Sequence, residues 1–280
     1  MLNNLLVFDI ETIPDITSGR NLLNDYDSSD AELHIKLAKY HKPAFEEGVD
    51  DPNLVFFKPA FHKVVAISFM HIEISREGGS EVHSFQELRS GGNAESNEKE
   101  LIDGFFSFIA KHKPKLVSYN GRSFDFPVLQ YRALKYQTNS FGIYQLGDKW
   151  NSYMQRYSTE WHCDLLEVLS NFGASTRISM NDLCAVLDIP GKIDVDGLAV
   201  YNLYKADKVS EIRDYCETDV LNTYLIYLKY ALHMGIMNKS AYDNAVTQIE
   251  SFLAGAKEYV HYDQFLQKYN TLNNVKTRSA

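Results

Sequence analysis

Four acidic residues and one tyrosine stand out in this 280-residue chain as groups whose type and spacing suit chemistry. Asp9 and Glu11 lie in Leu5-Leu6-Val7-Phe8-Asp9-Ile10-Glu11, a run that reads as a strand. Residues at i and i+2 point to one face of a strand, so both acids share a face with Leu5 and Val7, while Leu6, Phe8 and Ile10 point to the other. Two carboxylates on such an apolar strand repel and are driven toward protonation unless something positive lies between them. A hard cation such as Mg²⁺, which takes oxygen ligands, fills that role. The competing reading is a solvated pair where the strand leaves the sheet, and the pair taken alone favours it.

Asp219 falls on the apolar line Ile212, Cys216, Thr223 and Tyr227 of a helix read over residues 208–232. An acid on a core stripe is costly unless it is paired or ligates a metal. Tyr215 stands four residues earlier, one turn away on the same face. Pairing with a buried Arg or Lys, or capping of a neighbouring helix, is the competing reading. Asp125 comes after a strand end and an Asn120-Gly121 turn, where a helix opens. Strand ends of open α/β sheets are where sites form, yet Asp is also a preferred N-cap, and alone this one reads as a cap.

The elements that must position these groups follow from the pattern. After the first strand, residues 15–60 are polar, with a short amphipathic helix around Ala31–Tyr40. Residues 63–74 read as a second strand, and 81–85 as a third after the Gly78-Gly79 turn. A helical stripe at Leu101, Ile102, Phe105, Phe106 and Ile109 marks Glu98–Lys111. Leu116–Tyr119 is a short strand, followed by a helix over about 126–137 with Pro127 in its first turn. Residues 138–160 have no clear period. Helices follow over about 164–171, 179–187, 195–204 and 208–232, and one or two more lie within 238–270; the tail beyond Asn270 reads as disordered. The three early strands should be antiparallel, and the strand–helix–strand unit 81–119 should pair in parallel through a right-handed crossover.

Composition narrows the class. The chain is 45% hydrophobic, enough for a real core, and has no apolar run approaching the roughly 20 residues that span a bilayer. The opening residues lack a basic region and a cleavage site, so they read as the first strand and not a signal peptide. Cys163, Cys184 and Cys216 are odd in number, contain no C-x-x-C pair and sit in apolar helical patterns. Buried reduced thiols, and with them a cytoplasmic setting, are the expectation. A net charge of −9, from 28 basic and 37 acidic residues, counts against a protein that clamps duplex DNA by phosphate neutralisation. It counts less against an enzyme that grips a short single-stranded end.

Taken together and in order, the motifs resemble a known family. Phe8-Asp9-Ile10-Glu11-Thr12 resembles the first motif of the DEDD 3′→5′ exonucleases, and Asn120-Gly121-x-x-Phe124-Asp125-x-Pro127 the second. Tyr215-x-x-x-Asp219 resembles the third, in the variant that carries Tyr in place of His. Phe57-x-Pro59-x-Phe61-His62-x-Val64-Val65-x-Ile67-Ser68 is similar to a bacterial group of predicted exonucleases related to the proofreading domain of family B DNA polymerases. So are His162-x-Asp164-Leu165 and Ile189-Pro190-Gly191-Lys192-x-x-Val195-x-Gly197. The resemblance covers roughly residues 5–232.

The resemblance implies an α/β fold: a ribonuclease-H-like mixed five-stranded sheet flanked by helices, with a C-terminal helical extension. Residues 1–235 would form the exonuclease domain, with 15–60 and 138–160 as insertions, and 236–280 the extension and a flexible tail. It implies hydrolysis of terminal phosphodiesters of single-stranded DNA or RNA 3′ ends, releasing nucleoside 5′-monophosphates with two divalent cations, Mg²⁺ or Mn²⁺. Asp9 would bridge the two ions, Glu11 and Asp219 would complete the site of the attacking water, and Asp125 would support the second ion through a water. Tyr215 would hydrogen-bond and orient the attacking water. Thr12, Asn120 and Phe124 are the implied substrate contacts; Lys192, in a loop, could reach a phosphate, though an isolated loop lysine is more often solvated. No membrane is implied, and the sequence leaves open whether a polymerase, helicase or other protein presents the substrate. A catalytically silent nucleic-acid-binding or adaptor domain on the same fold is the alternative, and an endonuclease a further one.

Phe57, Phe61, Tyr144, Trp150, Tyr153 and Tyr157 lie in the irregular stretches and could stack on bases. Packing of loops on the core is the better reading for most of them. His162 reads as a structural histidine and Asp164 as the N-cap of its helix.

Overall fold

The run around Asp9 becomes the middle of a sheet because apolar residues lie on both of its faces. The computed structural model describes residues 2–192 and 200–279, with side chains described as far as Asn273. β1 (Asn4–Pro14) carries buried residues on both faces. It is followed by α1 (Ile16–Leu23), α2 (Asp30–His41), β2 (His62–Glu77), β3 (Ser80–Ser90), α3 (Glu98–His112), β4 (Lys115–Ser118) and α4 (Asp125–Tyr136). The chain continues through α5 (Phe141–Tyr144), β5 (His162–Asp164), α6 (Leu165–Leu169), α7 (Met180–Leu187) and α8 (Val200–Lys205). It ends in α9 (Val209–His233), α10 (Lys239–Gly255) and α11 (Val260–Ser279).

The strand order is β3-β2-β1-β4-β5. β1–β2 and β2–β3 are antiparallel, whereas β1–β4 and β4–β5 are parallel. This is a ribonuclease-H-like mixed sheet. One expectation fails: β4 pairs with β1 and not with β3. All four residues of β4 are buried, so it needs neighbours on both edges. The free edge of β1 supplies one and β5 the other. β5 itself is only three residues long and gave no periodicity; the expected helix over 164–171 begins after it. α1 was also not legible, and the start of the helix read over 195–204 lies outside the described residues, as do Val195 and Gly197.

The two faces of β1 are covered as its alternation demands. Leu5 and Val7 pack with Val220, Leu221 and Tyr224 of α9. Leu6, Phe8 and Ile10 pack with Ile102, Phe105 and Phe106 of α3 and Val128 and Leu129 of α4. α10 and α11 add Ile249, Leu253 and Phe265 to the same core as the α9 face of the sheet. α11 continues past Asn270 to Ser279. The three cysteines are buried and free, with Cys163 on a strand and not on a helix. Among the described residues, no helix is long and apolar enough to cross a membrane.

Candidate active site

β4 stops short of the acids. The β1–β4 ladder pairs Leu5 to Val7 only, so Asp9 and Glu11 stand on a part of β1 that has β2 on one edge and no strand on the other. The loop after β4 turns into this gap. Asn120 adopts a left-handed φ of 68°. A Cβ on Gly121 would come within 2.5 Å of Ser118, so only glycine lets the loop press onto the strand end. The Asn-Gly pair is therefore a steric requirement of the turn.

The turn delivers Asp125 to the gap. The N-cap position of α4 is Phe124, which makes no side-chain cap bond, so the reading of Asp125 as a cap does not hold. Asp125 is instead the first helical residue, 4% exposed, and its carboxylate accepts the backbone N–H of Ile10. That N–H has no strand partner on this edge, and the acid takes it. The other acids arrive from the opposite side. Asp9 and Glu11 point to the α9 face with Leu5 and Val7, as their spacing requires. There they meet Cys216, whose Sγ lies 3.4 Å from the Asp9 carbonyl oxygen and 3.6 Å from Oδ2. Asp9, Glu11 and Cys216 bring one potential ligand atom each to within 4.8 Å of one another. Asp219 comes one turn later on α9, and the Tyr215 hydroxyl hydrogen-bonds to it.

Electrostatics mark this cluster as short of positive charge. Burial pushes Asp9 well above the usual carboxylate range, and repulsion from Asp125, Asp219 and Glu11 adds to it. Burial and Asp219 do the same to Glu11, against a pull from Lys192. Burial raises Asp125 to about 7 and Asp219 to about 6. Oδ1 of Asp219 is buried and has no hydrogen-bond partner. Such an oxygen is costly unless a ligand satisfies it. Hard oxygen donors in excess of positive charge are what a divalent cation of the Mg²⁺ type takes. The donor set fits that group.

The other residues singled out by sequence are distributed around the acids. Lys192 lies with its Nζ 5.4 Å from the Tyr215 ring centroid, and its charge lowers both Glu11 and Asp219. Lys192 thus acts on Asp219 through its charge and not as an ion-paired partner, one ammonium near four acids. Thr12 is hydrogen-bonded to His62 through Nδ1 at 2.8 Å, and the other ring nitrogen of His62 meets the Phe57 carbonyl at 3.1 Å. Burial holds His62 down to about 4, so the ring is neutral and must donate from Nε2 to that carbonyl. Thr12 therefore donates to Nδ1 and keeps only acceptor capacity for a ligand. Phe124 lines a cavity beside Glu11 and Thr12. Asn120 contributes its backbone to the turn.

Two residues that hold the turn gave no chemical signal in the sequence. Asp164 is the N-cap of α6 as expected, but its carboxylate also accepts the N–H groups of Asn120 (2.9 Å) and Arg122 (2.8 Å). Arg122 in turn donates to the carbonyls of Tyr153, Gln155 and His162. Cys216, read only as a core thiol, lies in the site. His162 is buried and bonded to Ser118, consistent with a structural role. Of the loop aromatics, Phe57 and Tyr153 are buried, as packing groups should be, whereas Trp150 and Tyr157 are exposed.

The topology and this cluster define a class: ribonuclease-H-like α/β proteins with a carboxylate site at the end of the central strand. Residues 55–269 match the family described as "Predicted 3'-5' exonuclease related to the exonuclease domain of PolB", and the chain belongs to that family. The matched span contains Asp125, Tyr215 and Asp219 and begins after Asp9 and Glu11. Among solved structures, the chain is similar to the family B DNA polymerase from the hyperthermophilic archaeon Pyrobaculum calidifontis. The identity is 18% and the TM-score 0.46, over 83% of this chain and 25% of the polymerase. No curated protein matches the chain.

Proposed function

We propose that this protein hydrolyses single-stranded nucleic acid from the 3′ end, one nucleotide at a time. The observation that carries the proposal is the convergence of Asp9, Glu11, Asp125 and Asp219, from three separate elements, into one buried cluster whose acids are all pushed toward protonation. These four would hold two divalent cations, Mg²⁺ or Mn²⁺. Bound there, such ions acidify water and stabilise the attacking and leaving oxygens of a phosphodiester displacement.

The chain's own groups then have distinct tasks. Burial and the neighbouring acids drive the Tyr215 phenol far above its usual range. It therefore stays protonated, and it orients the attacking water by a hydrogen bond without acting as its base. Asp125 is held in place by the Ile10 N–H. Thr12 offers an acceptor to a sugar hydroxyl, and Lys192 a charge to a phosphate. The P–O bond to the leaving 3′ oxygen breaks, that oxygen takes up a proton, and the water's hydroxyl joins the phosphorus. The products are a nucleoside 5′-monophosphate and a strand one residue shorter.

The test uses matched DNA and RNA oligonucleotides labelled at either end, with the 3′ hydroxyl free or blocked. A ladder that grows from a free 3′ end and requires Mg²⁺ or Mn²⁺ is the expected result. Cutting of a circular strand would mean an endonuclease. Binding with no cleavage would mean an adaptor domain.

A further inference from the structure

The lysine beside the acids is held by its backbone. Gly191 and Lys192 belong to neither a helix nor a strand, so their N–H and C=O groups need partners from elsewhere. Side chains supply all four. Asn222 accepts from the Gly191 N–H through Oδ1 and donates to the Gly191 carbonyl through Nδ2, both at 3.0 Å. Asn181 of α7 accepts from the Lys192 N–H at 3.2 Å, and Lys268 of α11 donates to the Lys192 carbonyl at 3.1 Å. Gly191 has a left-handed φ of 68°, and a Cβ on it would lie 2.7 Å from Oδ1 of Asn181, so this approach needs glycine.

Asn222 is fully buried. An amide in such a place costs free energy unless its hydrogen bonds are made, and here both go to one residue of a loop. Its place on α9 gives that hold a purpose. Tyr215, Asp219 and Asn222 stand at i, i+4 and i+7, on one line of the helix. At one end of the line Asn222 holds the residue before Lys192. At the other end the Lys192 ammonium lies 5.4 Å from the Tyr215 ring centroid. Seven residues of helix rise about 10 Å. The lysine side chain therefore runs down the line past Asp219, and its charge is felt there and at Glu11. The C-terminal helix joins the same arrangement. Tyr262 of α11 donates to Glu217 of α9 at 2.7 Å, Phe265 is buried in the core that α9 shares, and Lys268 follows one turn later.

We infer that Asn222 is a positioning residue: it holds the Gly191–Lys192 backbone so that the Lys192 ammonium stands over Tyr215 and beside Asp219, and Lys268 of the C-terminal helix supports the same hold. What the charge does for a phosphate rests on the exonuclease reading above; where the charge stands does not. In that place the ammonium opposes a divalent cation on the same acids, because like charges repel. Loss of the hold should therefore tighten metal binding, whereas damage to the acid cluster itself would weaken it.

Two measurements on the full-length protein test it, and neither needs a nucleic acid. In the first, lysines are acylated briefly and the modified sites are counted by mass spectrometry. Lys192 should react roughly five- to tenfold faster in Asn222→Ala, the worth of one net hydrogen bond, while the exposed Lys149 reacts as before. Lys268→Met, at an exposed position of α11, should act in the same direction and serves where Asn222→Ala does not fold. In the second, Mn²⁺ binding is followed by calorimetry at low salt. Lys192→Met should tighten it by on the order of tenfold. Asn222→Ala and Lys268→Met should each tighten it by less, and add nothing once Lys192→Met is present, because a residue that acts through another has no effect without it. Labelling of Lys192 that is unchanged in both variants overturns the hold. Mn²⁺ binding that weakens in Asn222→Ala, or changes equally with and without Lys192, overturns the positioning role. If the wild type binds no Mn²⁺, the metal reading of the acids fails, and the labelling still decides the hold. If no strand is ever shortened, the exonuclease reading fails, and both measurements stand.

Discussion

Two clusters of buried acids lie near the end of β1, and they hold their charge in opposite ways. In one, Arg132 is 2% exposed and bridges Asp15 and Glu98. Lys135 reaches Asp15 at 2.9 Å, and Glu98 accepts from the Tyr136 hydroxyl at 2.7 Å and the Val64 N–H at 2.6 Å. Burial alone would push Asp15 up, but hydrogen bonds from Ser18, Lys135 and Arg132 outweigh it and hold the acid well below the usual range. In the other cluster, burial and mutual repulsion raise Asp9, Glu11, Asp125 and Asp219, and Lys192 is the cation that opposes this at Glu11 and Asp219. The same residue type serves as a finished structural network in one place and as an unfinished site in the other. The difference is whether the chain supplies the counter-charge itself.

The largest effect separates the two by function. Asp9→Ala should lower the release of nucleotides from a 5′-labelled strand by more than about 10³-fold, with the fold intact by circular dichroism. Asp15→Asn should weaken the fold and leave the turnover of folded protein unchanged. A clean Asp9→Ala preparation with near-wild-type activity would end the metal-site reading of this cluster.

Next in size is a stability effect. Arg132→Met strands two buried carboxylates and should lower the unfolding free energy by about 3–5 kcal/mol in urea titrations. Little or no loss would mean that the network is not the structural clamp described here.

The pH dependence should differ in sign between the clusters. Asp15 is depressed in the fold, so its stabilisation is complete above the unfolded value of about 3.9 and is lost as pH falls toward the folded one. Asp125 and Asp219 are raised, to about 7 and about 6, so the native state binds more protons than the unfolded state between those values and about 3.9. Their stabilising contribution is present below that window and is lost as pH rises through it. In EDTA, the melting temperature should therefore fall as pH rises from about 5 to about 8. Mg²⁺ should restore it, with proton release seen by calorimetry in buffers of different ionisation enthalpy. Asp219→Asn should flatten the EDTA profile; a wild-type profile already flat and indifferent to Mg²⁺ would erase the contrast.

The smallest effect concerns Tyr215. Removal of one orienting hydrogen bond in Tyr215→Phe should reduce kcat by on the order of tenfold and leave KM and stability close to wild type.

Legibility in the sequence varied with how local the controlling interaction is. The facing of Asp9 and Glu11 away from Phe8 and Ile10 follows from strand alternation, and the packing on α9 and α3 agrees with it. The position of Asp219 on an apolar line follows from helical period, but α9 is buried on every face from Tyr215 to Leu228, so the line by itself does not single the acid out. Asp125 was ambiguous because its deciding bond is to the N–H of Ile10, far away in sequence. Arg122 and the second function of Asp164 were invisible for the same reason, since their partners lie more than 30 residues off. The place of β4 was misread because adjacency in a sheet depends on which edges are free, and that is a property of the whole assembly.

By itself, the sequence determined which side chains point together along each element, since that depends only on the repeat of a strand or helix. It determined the acid motifs and, through them, the resemblance to an exonuclease family. Only the tertiary structure decided that β4 ends early enough to leave a gap beside Asp9 and Glu11, that Asp125 fills it, and that Cys216 and Lys192 share the site. It alone decided which buried acids meet an arginine and which do not. Charge compensation acts through space between distant segments, so no spacing along the chain can record it.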